Sequence, residues 1–199
     1  MTRVTLYGTR GSVASPGPET AGYGGNTSTV EVCGSDGTLL VLDAGTGIRR
    51  LGQQVPRTMS RIDILLTHLH MDHIQGLGFF APLYNPAIEI HIWGPSSSTL
   101  SLEARLSRYL SPPLFPVHLR DLPRLTCHQL PYTPFEIGRS GSARPSFATP
   151  DRPSATESRR RRASSPICRI TSLPLASETG DGRGRSGSRA MILRSIPIF

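Results

Sequence analysis

The chain contains no lysine, so all 22 of its basic residues are arginine. Such a one-sided basic set fits GC-rich coding DNA at least as well as selection for surface charge. Cysteine is scarce as well. Cys33, Cys127 and Cys168 are odd in number and have no CxxC spacing, which argues against a disulfide framework or a zinc knuckle and points to a reducing cytoplasm. Long apolar runs are missing. No stretch approaches the ~20 residues of a membrane span, and the opening MTRVTLYGTRG has no apolar h-region. Neither a signal peptide nor a membrane partner is expected. Histidine is absent after His128.

With 199 residues the chain is long enough to bury one ordinary core. A net charge of +8 raises the question of nucleic-acid binding, but its distribution weakens that reading. Residues 1–138 hold 10 arginines and 10 acidic residues, whereas 139–199 hold 12 arginines and 4 acidic residues. The whole excess therefore lies in the tail.

Residues 1–138 read as an ordered α/β (α+β) region. RVTLYG (3–8), TSTVEVC (27–33), TLLVLDAG (38–45), RIDILLTH (61–68) and AIEIHIWGP (87–95) read as strands, with GSDG marking a hairpin between the second and third. LTCHQLP and PFEIG add two shorter ones. Residues 96–110 have serine caps and then Leu100, Leu102, Leu106 and Leu110, which predicts an amphipathic helix. Hairpin-paired strands followed by strands alternating with helices imply sheets covered by helices. After Gly138 the text becomes Arg, Ser and Pro with little apolar periodicity, so 139–199 is expected to be a disordered basic tail. Only ICRITSLPLAS and AMILRSIPIF within it have any capacity to pack.

The stretch THLHMDHIQG (67–76) follows an apolar strand and holds His68, His70, Asp72 and His73. A divalent metal requires imidazoles and carboxylates that converge on one point. Period-2 geometry puts His68 and His70 on one face, and Asp72 and His73 follow in the turn. Two metals are expected, one on each pair. His91, His118 and His128 are isolated in sequence and read as ordinary polar residues.

THLHMDH resembles the signature of the metallo-β-lactamase fold hydrolases. LYGTRGSVASPGPETAGYGGNTSTVEV looks like the opening of their cytoplasmic phosphodiesterase-like branch, and LLVLDAGTGIRRLG matches the family's second strand. The resemblance spans residues 3 to 138. It implies an αββα sandwich with two zinc ions, or manganese, at one edge. Hydrolysis of a phosphodiester or cyclic phosphate by metal-bound hydroxide follows from it, with a small-molecule or nucleotide phosphoester as partner. On this resemblance His68, His70, Asp72 and His73 are ligands, and Asp72 is also the expected catalytic residue. Asp43 matches the Asp that braces a ligand imidazole or the loop backbone from behind. Asn26 is expected to shape the turn or the site. GTRGS (8–12) is a candidate anion-binding turn. The residues that bind substrate are not identified.

The family's distal ligands lie in segments resembling HPG…GY and DHEP and in a late His, and the printed text has none of them. Only half a sandwich and four of seven ligands are expected, so metal occupancy should be weak or partial. One face of the sheet would then be bare, an aggregation liability. Regrouping the codons of residues 147–159 by one base, with permitted codons, yields RHPGPTVGYRIE. The same operation on residues 164–178 yields LAYLPDHEPALGVR. Both missing motifs emerge in order and in one frame, so the reading frame is expected to slip near Gly138. RRRR (159–162) ordinarily suggests nucleic acid. In an off-frame tail it predicts only non-specific, salt-sensitive binding.

Overall fold

A computed structural model describes residues 2–34, 36–130, 135–137, 146–148 and 169–172. Six strands form one mixed sheet: β1 (Arg3–Gly8), β2 (Thr29–Cys33), β3 (Leu39–Leu42), β4 (Arg61–Leu65), β5 (Glu89–Gly94) and β6 (Leu125–Gln129), hydrogen-bonded in that order. β1, β2 and β3 are antiparallel neighbours, and β3 to β6 run parallel. A second sheet joins β7 (Phe135–Glu136), β8 (Ser146–Ala148) and β9 (Arg169–Ser172), all antiparallel. β8 and β9 lie within the tail for which disorder is expected, and the rest of that tail, including AMILRSIPIF, lies outside the described residues.

β3 and β4 are buried on both faces, which is why RIDIL reads as an apolar run without alternation, whereas β5 alternates and β6 is only partly covered. One face carries Leu39, Val41, Ile62, Ile64, Ile90 and Ile92 into the main core. Ile48 and Leu51 of α1 (Ile48–Gly52) cover it, with Phe80 and Leu83 from two 3₁₀ turns and Leu102 and Leu106 of α3 (Leu102–Leu106). The opposite face has a smaller cluster of Val32, Leu40, Leu65 and Ile137, while Val4 and Leu6 at its β1 edge are 52% and 63% exposed. The charged Asp63 is buried there because Arg61 grips both its oxygens at 2.9 Å and Trp93 Nε1 donates to it.

The expected helix over 96–110 is only α3. Ser101 is its N-cap, accepting from the Ala104 amide, and Leu100 falls outside on the surface. Hydroxyl contacts among Ser97 and Thr99 compete with helix formation upstream. The helix expected after the histidines is likewise short. α2 (Met71–Ile74) gives way to 3₁₀ turns at Leu77–Phe79 and Ala81–Tyr84, where Gly76, Gly78 and Pro82 disfavour continuation. Among the described residues no helix is long and apolar enough to cross a membrane.

Candidate metal centre

The site sits where β3 and β4 end. In open α/β sheets this carboxyl edge is where ligands collect. Because the two strands run parallel and side by side, the loops leaving them meet. The Asp43 amide donates to Leu65 O at 2.8 Å, and the Ala44 amide donates to His73 O at the same distance. The loop carrying Asp43 is thereby stitched to the one carrying the histidines.

Asp43 has φ 61, a left-handed conformation that short polar residues tolerate best. Its carboxylate is buried and gathers donors. The Thr67 amide and hydroxyl each lie 2.9 Å from Oδ1, and Ser28 Oγ lies 3.2 Å from Oδ2. His73 Nδ1 is 2.8 Å from Oδ2. A carboxylate only accepts, so the His73 proton resides on Nδ1 and its Nε2 is left bare.

Thr67 extends this logic to the second histidine. Its single hydroxyl proton is committed to Asp43, so the 3.0 Å contact with His68 Nδ1 is donated by the imidazole. His68 thus also keeps Nε2 bare. Thr67 was not singled out from the sequence; its place between an apolar strand and the first His is the only signal it carries.

One donor atom each from His68, Asp72 and His73 lies within 4.8 Å of the others. Two ligands on a shared zinc at ~2.1 Å are at most ~4.2 Å apart, so small side-chain shifts close the set. At His68 the protonation chemistry also suits a cation, whereas at His73 a proton competes with one. Burial, with His73 and His70 adding, holds the His68 pKa below its usual value, favouring the neutral imidazole a metal needs. Burial also opposes a charge on His73, but the Asp43 hydrogen bond and the negative charges of Asp43 and Asp72 outweigh it and raise the pKa.

His70 is exposed and lies outside this group of three, its ring 4.4 Å from that of His68 and edge-on to it. Among the described residues no cysteine joins the group. Burial pushes the Cys127 thiol up to about 12, far from the thiolate form. Asn26 braces the site indirectly, accepting from Thr46 Oγ1 at 3.1 Å. Thr46 and Thr27 exchange amide-to-hydroxyl bonds of 2.8 and 2.9 Å, which pins the Asp43 loop to the start of β2. The GTRGS turn offers less to an external anion than its glycines suggest, because the Arg10 amide donates to Asn26 O and the Ser12 amide to Asp72 Oδ2.

The isolated appearance of His91 and His128 in sequence is corrected by the sheet. β5 and β6 place His91 Nδ1 2.8 Å from His128 Nε2, and Trp93 stacks on His128 at 4.1 Å between ring centroids. The alternation that puts them on one face was available in the sequence; the pairing of the two strands was not.

The Beta-lactamase superfamily domain matches residues 38–166. No curated protein matches the chain. Among solved structures, it is similar to the metallo-beta-lactamase fold protein YhfI from Bacillus subtilis, at 18% identity and a TM-score of 0.48, over 75% of this chain and 52% of that one. It is also similar to Zn(2+)-bound PqqB from Methylobacterium extorquens, at 18% identity and a TM-score of 0.45, over 75% of this chain and 55% of that one. The chain spans about half the length of these two structures.

Proposed function

Because this chain belongs to the beta-lactamase superfamily, we propose that it is a metal-dependent hydrolase, acting on phosphodiesters or cyclic phosphates, with zinc or manganese as its ion. The observation that carries this reading is the convergence of His68, Asp72 and His73 at the sheet edge, with Asp43 and Thr67 engaging the Nδ1 atoms of the two imidazoles. A divalent ion held there would activate water and polarise the scissile oxygen. The chain's own residues set the conditions. Asp43 holds the Nδ1 proton of His73, Thr67 does the same for His68, and Asp72 brings negative charge to the group. His70 is exposed and lies outside the group of three, so its part in the shell requires a side-chain movement on metal binding. The free Cys33 and Cys127 are consistent with a reducing compartment such as the cytoplasm.

A second reading is favoured by one observation. Among the described residues no further His, Cys, Asp or Glu joins the group, and the sequence has no His beyond position 128. The chain as it stands then holds an ion weakly, completes the shell with water and turns over slowly or not at all. Any contact of the arginine-rich tail with nucleic acid is non-specific on this reading and falls steeply with salt.

The test is metal uptake together with hydrolysis of bis(p-nitrophenyl) phosphate. Turnover that depends on added zinc or manganese and disappears in His68→Ala supports the hydrolase reading. Metal uptake without turnover supports the impaired reading. Absence of uptake overturns both.

A further inference from the structure

The loop between β1 and β2 is anchored at both ends and leans on the metal centre at its tip. Its base is tied by the Arg10 amide to Asn26 O at 3.0 Å and by the Ser15 amide to Gly25 O at 2.9 Å. Between these ties the Val13 amide donates to Gly11 O at 2.8 Å, closing a three-residue turn around Ser12. Ser12 has φ 65, so this is the rare γ-turn with positive φ, a strained form. Strain of that kind persists only where surroundings over-determine it, and it concentrates at functional sites. Here the surroundings include one specific bond. The turn swings the Ser12 N–H outward to Asp72 Oδ2 at 2.8 Å, across 60 residues of sequence. That same oxygen faces His73 Nε2 at 3.4 Å. No other hydrogen bond with a donor fixes the Asp72 carboxylate among those described, whereas Asp43 behind it has four.

Resting on the metal-site reading above, we propose that Ser12 is a positioning residue for Asp72. Its backbone N–H, aimed by the strained turn, holds the Asp72 carboxylate in register with His68 and His73 and so sets the chain's affinity for a divalent cation. The side-chain hydroxyl has no part in this. The role belongs to an amide and a dihedral angle, which is why GTRGS resembles an anion-binding turn in sequence: its anion is internal.

Two measurements test this on the full chain. The first is hydrogen exchange of backbone amides by NMR without metal. The Ser12 amide is expected to be protected, and Asp72→Ala is expected to speed its exchange while leaving Arg10 and Ser15 unchanged. A Ser12 amide that exchanges freely, or that ignores Asp72→Ala, overturns the proposal. The second is zinc affinity by chelator competition. Ser12→Gly keeps the N–H and relieves the positive φ, so it is expected to stay near the wild-type affinity. Ser12→Pro removes the N–H and is expected to lose about 10-fold or more, the range of ligand-orienting contacts. Equal affinity for Ser12→Pro and wild type overturns the proposal. If wild type takes up no zinc, the metal reading fails, and the exchange experiment alone decides whether Ser12 holds Asp72. It decides equally if Ser12→Pro does not fold.

Discussion

Asp43 Oδ2 and His73 Nδ1 lie 2.8 Å apart, both buried, and this contact joins the end of β3 to the first turn of α2. It links the loop carrying Asp43 to the loop carrying the candidate ligands. Asp43→Asn is the informative substitution, since asparagine tolerates the left-handed backbone while losing the charge. Zinc affinity is expected to fall about 10–100-fold, and the His73 pKa is expected to drop once the contact that raises it is gone. Chelator competition measures the first effect and an NMR titration of the imidazole the second.

Gly45 and Gly76 let the two loops touch. A Cβ on Gly76 would lie 2.0 Å from Gly45 O, and one on Gly45 would lie 2.5 Å from Asp72 O and 2.4 Å from Thr27 Oγ1. Backbone atoms cannot step aside as a flexible side chain can. Gly76→Ala is expected to destabilise the fold by about 1–3 kcal/mol, the usual range for overpacking, and to abolish zinc uptake. A thermal melt with a parallel metal assay checks both outcomes.

Acid should loosen the far side of the sheet. Burial holds both His91 and His128 below their ordinary value of 6.5, with Arg61 opposing a charge on each and His91 opposing one on His128. Asp63 favours the charge on each, and Glu89 favours it on His91. In the unfolded chain these imidazoles take up protons first as pH falls. The unfolded state then binds more protons, so stability from this pair is lost as pH drops below 6.5 toward the lowered folded values. Trp93 is the only tryptophan and stacks on His128. Its fluorescence is expected to change through that window in wild type and to lose the change in His128→Asn.

The frame slip expected near Gly138 makes a separate prediction. A nucleotide read across residues 138–178 should show the codons that convert the printed text into the HPG…GY and DHEP segments. The family match runs on to residue 166, past the expected slip, so codon usage in this stretch decides the matter. Other codons there would leave the printed tail as the true one.

Much of the fold was legible because it is local. Period-2 alternation, short apolar runs and turn residues located the six strands of the main sheet to within a few residues. The metal stretch stood out because three of its four candidate ligands lie within one strand end and one short helix. Asp43 was legible only through a family resemblance, since its partners Ser28, Thr67 and His73 come from the approach to β2, the loop after β4 and α2. Thr67 and Ser12 were not legible. One acts through the direction of a single hydroxyl proton, the other through a backbone amide at φ 65, and neither leaves a mark in residue type. The helix over 96–110 was over-read because leucines at helical spacing also fit a short helix followed by turns.

The most direct test of the central claim is the zinc content of the purified full chain after equilibrium dialysis, beside Asp72→Ala and His73→Ala. Weak, sub-stoichiometric to single-ion binding is expected in wild type, and either substitution is expected to remove it. Zinc uptake unchanged by both substitutions would place the ion elsewhere and rule out a centre at Asp72 and His73.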